Sequence, residues 1–245
     1  MLRPLISKLE ISAVLTDNDA IALRELHGEF REFGAREDML PANAALEDVH
    51  FLLRGYAFRY KLLGDRRRQI TAYLMPGDLC CPDALADEMD GGVASLSPVC
   101  MLSVPREALY DFLDGHPGIA RALRWASIVD GAIAREWIVN LGQRTAPERL
   151  AHLLCETFQR LQMVGLTRGD TCDFPATQAE LADTLGLSTV HVNRTLQDLR
   201  RDGLITLRGK TLVLHDLPAL QRLSDFNPTY LRLGQGHVGT SASAI

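Results

Sequence analysis

The run Thr177-Gln178-Ala179-Glu180-Leu181-Ala182-Asp183-Thr184-Leu185-Gly186-Leu187-Ser188-Thr189-Val190-His191-Val192-Asn193-Arg194 is written in the grammar of two short helices joined by a tight turn. Thr177 with Glu180 three residues on is a capping box, so a helix opens there with Leu181, Ala182 and Leu185 on one face. Gly186 is able to take positive φ, Leu187 is an apolar anchor, and Ser188 is an N-cap for a second helix. Advancing about 100° per residue from Thr189 puts Val192, Leu196 and Leu199 on one side and Val190, Asn193, Arg194 and Gln197 on the other. The first set packs and the second faces outward, which is the pattern of a helix-turn-helix.

The outward set has the chemistry to read base edges. Arginine pairs bidentately with guanine, asparagine or glutamine with adenine, and Val190 suits a thymine methyl. Thr189, at the start of the same helix, is grouped with them. On an isolated surface helix these would be merely solvated positions, but the context here is specific. Asp202-Gly203-Leu204 ends the helix, and residues 205–214 alternate as a hairpin around Arg208-Gly209-Lys210, the pattern of a wing. Arg208 and Lys210 at the tip, with Thr177, Gln178 and Ser188 at the helix starts, are the candidates for holding phosphates. The implied partner is double-stranded DNA.

Working outward, residues 28–106 hold short strand-like runs punctuated by turns, as at 49–61, 69–75 and 99–104. Leu62-Leu63-Gly64-Asp65 suits a hairpin turn and Pro76-Gly77-Asp78 ends the next run, so an antiparallel β-barrel or jelly roll is expected. After His116-Pro117 the period becomes helical over residues 118–142. Ile119, Leu123, Ala126, Ile133 and Trp137 form one apolar stripe; Ala122, Trp125, Val129, Ala132 and Val139 form a second. A helix apolar on two sides needs two surfaces, and a homodimer through the first stripe is the economical reading. A central helix buried within one monomer is the alternative. Thr145-Ala146-Pro147-Glu148 is another capping box, opening a helix that carries Leu150, Leu153, Leu154, Phe158 and Leu161 inward. The expected units are an α+β arrangement of a β domain over 1–116, a dimerisation helix over 117–143, a winged helix-turn-helix over 144–233 and a disordered Gly/Ser/Ala-rich tail over 234–245.

Composition narrows the class. The net charge of −5 is unevenly spread: residues 1–143 hold 15 Lys/Arg against 21 Asp/Glu, whereas residues 144–245 hold 11 against 10. The C-terminal part is therefore the better candidate for approaching phosphates. Nothing approaches the ~18 uninterrupted apolar residues of a membrane span, and the first ten residues are too charged for a secretory signal, so a cytoplasmic protein is expected. Five scattered cysteines, an odd number, read as free thiols. The vicinal pair Cys80 and Cys81 is a candidate sensor. The seven histidines are widely spaced, and no metal set, Walker loop, dinucleotide turn or catalytic triad is present, so no enzyme, metal or cofactor is assigned. A cupin-like barrel enzyme with an accessory helix-turn-helix, or an adaptor using that module for protein contacts, are the readings from other classes.

Taken together, residues 5–230 resemble the Crp/Fnr superfamily of bacterial transcription regulators, most strongly over 177–205. Arg54-Gly55, Gly64-Asp65 and Pro76-Gly77-Asp78 match that family's barrel punctuation more loosely. The resemblance implies a cyclic-nucleotide-binding-like barrel and a two-fold dimer on a pseudo-palindromic operator with half-sites about 34 Å apart. It also implies an effector, and RNA polymerase as a partner if the protein activates, although no surface for polymerase is legible. The family commonly places a cytosine-reading Glu where Val190 stands, so the operator is expected to differ there. Its cyclic-AMP cassette is absent: the corresponding stretch reads Cys80-Cys81-Pro82-Asp83 through Gly91-Gly92-Val93-Ala94. No cysteine precedes Cys80, which excludes the N-terminal iron–sulfur cluster of the family's oxygen sensors.

Overall fold

A computed structural model describes residues 2–12, 15–42, 47–81 and 91–231. Two short helices, α1 (Arg3–Ser12) and α2 (Asp17–Arg24), precede seven strands: β1 (Glu29–Phe33), β2 (Asp38–Leu40), β3 (Asp48–Arg54), β4 (Ala57–Leu62), β5 (Arg68–Leu74), β6 (Gly92–Ser95) and β7 (Val99–Pro105). Helices α3 (Arg106–Gly115), α4 (Pro117–Gln143) and α5 (Ala146–Met163) follow. The last part holds β8 (Thr167–Arg168), β9 (Thr171–Asp173), α6 (Gln178–Leu185), α7 (Thr189–Arg201), β10 (Ile205–Arg208), β11 (Thr211–Leu214), α8 (Leu217–Ser224) and a 3-10 turn at Pro228–Leu231.

The seven N-terminal strands form two antiparallel sheets, ordered β1-β7-β3 and β2-β6-β4-β5. Among the described residues they do not close on each other, so the expected barrel is an open two-sheet sandwich. The edge at β5 is covered by α6 rather than by another strand, which answers the exposed-edge problem without closure. Between the sheets lie Leu52, Met101, Ala57, Leu74, Val93 and the pair Cys80 and Cys81. Outside the three-stranded sheet, α1, α2 and α3 pack with Ile119 and Ala122 of α4 over Phe51, Leu53, Leu102 and Val104. Outside the four-stranded sheet, Phe58, Ile70 and Tyr73 share one continuous core with Ile133 and Trp137 of α4, the inner face of α5 and the C-terminal module. The sheet and the helix-turn-helix are therefore fused through packing as well as through the chain.

Two turns show how sequence sets this assembly. At Pro76-Gly77-Asp78, Gly77 has φ +97°, and a Cβ there would stand 2.6 Å from the Pro4 carbonyl oxygen. Only glycine lets α1 approach so closely. Asp78 then accepts from the Met75 amide at 2.8 Å and turns its carboxylate toward Lys8 and Arg160. At Thr145, the backbone amide donates to the Glu148 carboxylate at 2.7 Å, and α5 departs from α4 in a new direction.

Candidate nucleic-acid interface

Helix α6 starts where the capping box places it. The Thr177 hydroxyl accepts from the Glu180 amide at 3.2 Å, and Glu180 accepts from the Thr177 amide at 2.6 Å. It ends at Gly186 with φ 64° and ψ 37°, the left-handed cap that reverses the chain in one residue. Ser188 then caps α7, accepting from the His191 amide at 3.2 Å. Both caps use hydroxyl lone pairs and leave the hydroxyl protons to donate outward.

Within α7, Val192, Leu196 and Leu199 are fully buried. Removing three such side chains from water stabilises the seat of α7 by about 1.5–3 kcal/mol each. On the opposite side Thr189, Val190, Asn193, Arg194 and Gln197 are exposed, Val190 at 79%. The Asn193 amide donates to Gln178 Oε1 at 3.1 Å, which joins a predicted base reader to a predicted phosphate residue at the start of α6. The hairpin β10–β11 pairs Arg208 with Thr211 across a two-residue turn, leaving Arg208 and Lys210 exposed. Neither they nor Arg194 pair with a described carboxylate. The wing is broader than the sequence suggested, because β9 pairs with β11 and β8 with β9. Runs of two and three residues carry no usable alternation, which is why those strands escaped notice.

The sequence reading also missed how α6 is held. Arg68 on β5 forks onto Asp183 with its Nε at 2.9 Å and a terminal nitrogen at 2.8 Å, lying over the Phe58 ring. Gln69 donates to the Thr184 carbonyl at 3.1 Å, and the Tyr73 and Thr184 hydroxyls are 2.7 Å apart. Arg149 of α5 donates to the Leu185 carbonyl at 3.0 Å. The first helix of the pair is thus clamped from both sides.

A second polar network lies deeper. Asp78 pairs with Lys8 at 2.9 Å and with Arg160 at 2.8 Å. Burial opposes ionisation of Asp78, but the two cations together outweigh it and hold the carboxyl at about 2. Arg160 also donates to the Tyr73 carbonyl and faces Glu156, which accepts from Tyr230 at 2.7 Å and from the Trp137 indole at 3.3 Å. At the elbow between α4 and α5, Glu136 is 2.8 Å from Arg144 and 3.3 Å from His152. Burial, with the Arg144 charge adding to it, lowers the His152 pKa to about 3, so this imidazole is neutral in the folded chain.

Two expectations need correction. Cys80 and Cys81 are buried in the inter-sheet core, and burial pushes the Cys80 thiol up to about 12 despite nearby Arg59. A sensor needs an accessible thiolate, so the sensing role is set aside; Pro82 and Asp83 lie outside the described residues. Of the stripe assigned to a dimer, Ile119, Ile133 and Trp137 are buried against the chain's own body, and Leu123 and Ala126 are half-buried beside them. The second stripe is not the free face either, since Ala122 and Ala132 are buried. The exposed large apolar residues of α4 are Ile128 (47%), Ile138 (72%) and Val139 (46%), with Arg121, Arg124 and Arg135 exposed alongside. Heptad counting across a helix with apolar residues nearly all round does not tell which face is the inner one.

Comparison with known proteins adds four findings. A family model described as a Crp-like helix-turn-helix domain matches residues 148–223. The chain is 29% identical over 218 residues to the nitrogen fixation regulation protein FixK of Bradyrhizobium diazoefficiens, covering 88% of this chain and 91% of that protein. It is 28% identical over 202 residues to the transcriptional activator protein FnrL of Cereibacter sphaeroides, covering 81% of each. Among solved structures, FixK2 from Bradyrhizobium japonicum superposes with a TM-score of 0.72 at 26% identity, covering 81% of this chain and 98% of that one.

Proposed function

From the premise that this chain belongs to the Crp/Fnr family of transcription regulators, we propose that two copies join along the outer face of α4 and present two α7 helices to successive major grooves of a pseudo-palindromic operator. Thr189, Val190, Asn193, Arg194 and Gln197 read base edges. Thr177, Gln178, Ser188, Arg208 and Lys210 hold phosphates and fix register. The reading rests chiefly on one observation: α7 buries its three apolar side chains and leaves its hydrogen-bonding set in solvent. In this account residues 1–116 form the regulatory unit, 117–143 the joining helix and 144–233 the DNA-binding unit.

The joining surface is built on Ile128, Ile138 and Val139, flanked by half-buried Trp125. Three large apolar side chains left in water on one helix of 27 residues are costly, and a second copy related by a two-fold axis covers them with the same residues. Bound effector, DNA or RNA polymerase act on this dimer; control is a shift between arrangements of the two α7 helices.

Selection of bound sequences from random duplex DNA tests the proposal. The expected product is an inverted repeat whose half-sites lie about one helical turn apart. The same selection with Val190→Glu is expected to move one symmetric pair toward cytosine, because a carboxylate there accepts from the cytosine amino group. No enrichment, or enrichment without two-fold symmetry, would count against the proposal.

A further inference from the structure

Two cavities meet at Arg59: one of about 40 Å³ among α1, the Gly77-Asp78 turn and α4, and one of about 280 Å³ between the four-stranded sheet and α4. Arg59, Asp130 and Ile133 line both and stand between them. Arg59 makes three hydrogen bonds across the division. Its NH1 meets Asp130 Oδ2 at 2.7 Å, its Nε the Cys80 carbonyl at 2.8 Å, and its NH2 the Leu79 carbonyl at 2.7 Å. One guanidinium thereby ties β4, the chain after the Pro76-Gly77-Asp78 turn, and the middle of α4 together. Both partners are largely shielded, at 15% and 29% side-chain exposure, where an ion pair with short, well-directed bonds is stronger than on an open surface.

We propose that the Arg59–Asp130 pair is an internal crosslink that sets how α4 sits on the sheet, and through α4 the position of the helix-turn-helix. Asp130 is a positioning residue: it touches no DNA. Helix α4 continues to Gln143 and passes into α5, whose Arg149 holds the end of α6. A shift of α4 at residue 130 is therefore passed through α5 to α6 and α7, working against the Arg68, Gln69 and Tyr73 contacts that hold α6 to β5. In a two-fold dimer the same shift occurs twice, and it changes the separation of the two α7 helices. The regulatory unit then acts on DNA affinity by keeping or breaking this one bond.

This inference rests on the DNA-binding reading above, and two measurements on the full-length protein separate them. The first is amide hydrogen exchange of wild type, Asp130→Asn and Asp130→Glu. Exchange over residues 126–134 is expected to rise at least tenfold in the Asn variant and to stay within threefold in the Glu variant, which keeps the charge. The second is affinity for a duplex selected by wild type: about tenfold weaker for Asn, within threefold for Glu, with the salt slope unchanged because no phosphate contact is touched. Unchanged exchange in Asp130→Asn overturns the crosslink. Altered exchange with unaltered affinity overturns its coupling to DNA, and so does equal weakening by both variants, the mark of a mere packing defect. If wild type selects no duplex, the DNA-binding reading is what fails, and exchange alone judges the crosslink.

Discussion

Helices α7 and α4 each press one face into the body and turn the other to solvent, yet their free faces differ in kind. That of α7 carries an amide pair, a guanidinium and a lone valine; that of α4 carries two isoleucines and a valine between arginines. A face of directed hydrogen-bonding groups discriminates among partners whose own donors and acceptors vary, as base pairs do. An apolar face gains from being covered by any complementary apolar surface and has little means of discriminating, so it suits a constant partner such as its own copy. In the proposed reading, specificity and assembly lie on two separate helices, joined at the elbow by α5.

The sharpest way to break the contrast is to make the face of α4 resemble that of α7. Ile128→Glu with Ile138→Glu is expected to place four carboxylates in the dimer seam and to cost about 4 kcal/mol. Sedimentation would then show monomers at concentrations where wild type is dimeric. A stable dimer would place the seam elsewhere.

A smaller effect is expected at the elbow. Because the folded chain holds His152 at about 3, the unfolded state binds more protons everywhere between that value and the ordinary 6.5. Stability from this residue is therefore present above pH 6.5 and declines as pH falls toward 3. Going from pH 6.5 to 5.5 costs about 1 kcal/mol. Denaturant melts of wild type and His152→Gln should diverge in that interval, the variant showing the flatter pH dependence. Parallel curves would mean that the imidazole is not the group responsible.

Smallest is the change expected at the wing. Lys210→Ala should weaken binding to every duplex alike and reduce the salt slope by about 0.9, the share of one phosphate contact. Loss confined to one base pair would assign Lys210 to readout instead.

The same contrast explains what the sequence disclosed. Around α7, cap, turn and period agree, and Ser188, Gly186 and the Val192–Leu196–Leu199 stripe each point to the same geometry, so the exposed set was legible residue by residue. Along α4, Ile119, Ile128, Ile133, Trp137, Ile138 and Val139 occupy most of the circumference, and only the sheet decides which are inside. The clamp of Arg68, Gln69 and Tyr73 on α6 joins residues more than a hundred positions apart, and no local pattern announces such a pairing. Closure of the β domain was unreadable for the same reason: a strand run shows its own alternation but not whether its edge meets a strand or a helix. The vicinal spacing of Cys80 and Cys81 made them a candidate sensor, but spacing does not report burial, which is set by distant Leu52 and Met101.

The most direct test of α7 as the reader is to measure binding of wild type and Arg194→Ala to a selected operator and to a panel in which each base pair is changed in turn. Discrimination should vanish at one symmetric pair, with a loss of about 1–3 kcal/mol on the best site and the other preferences intact. An equal loss on every member of the panel would show that this guanidinium merely attracts the duplex and reads nothing.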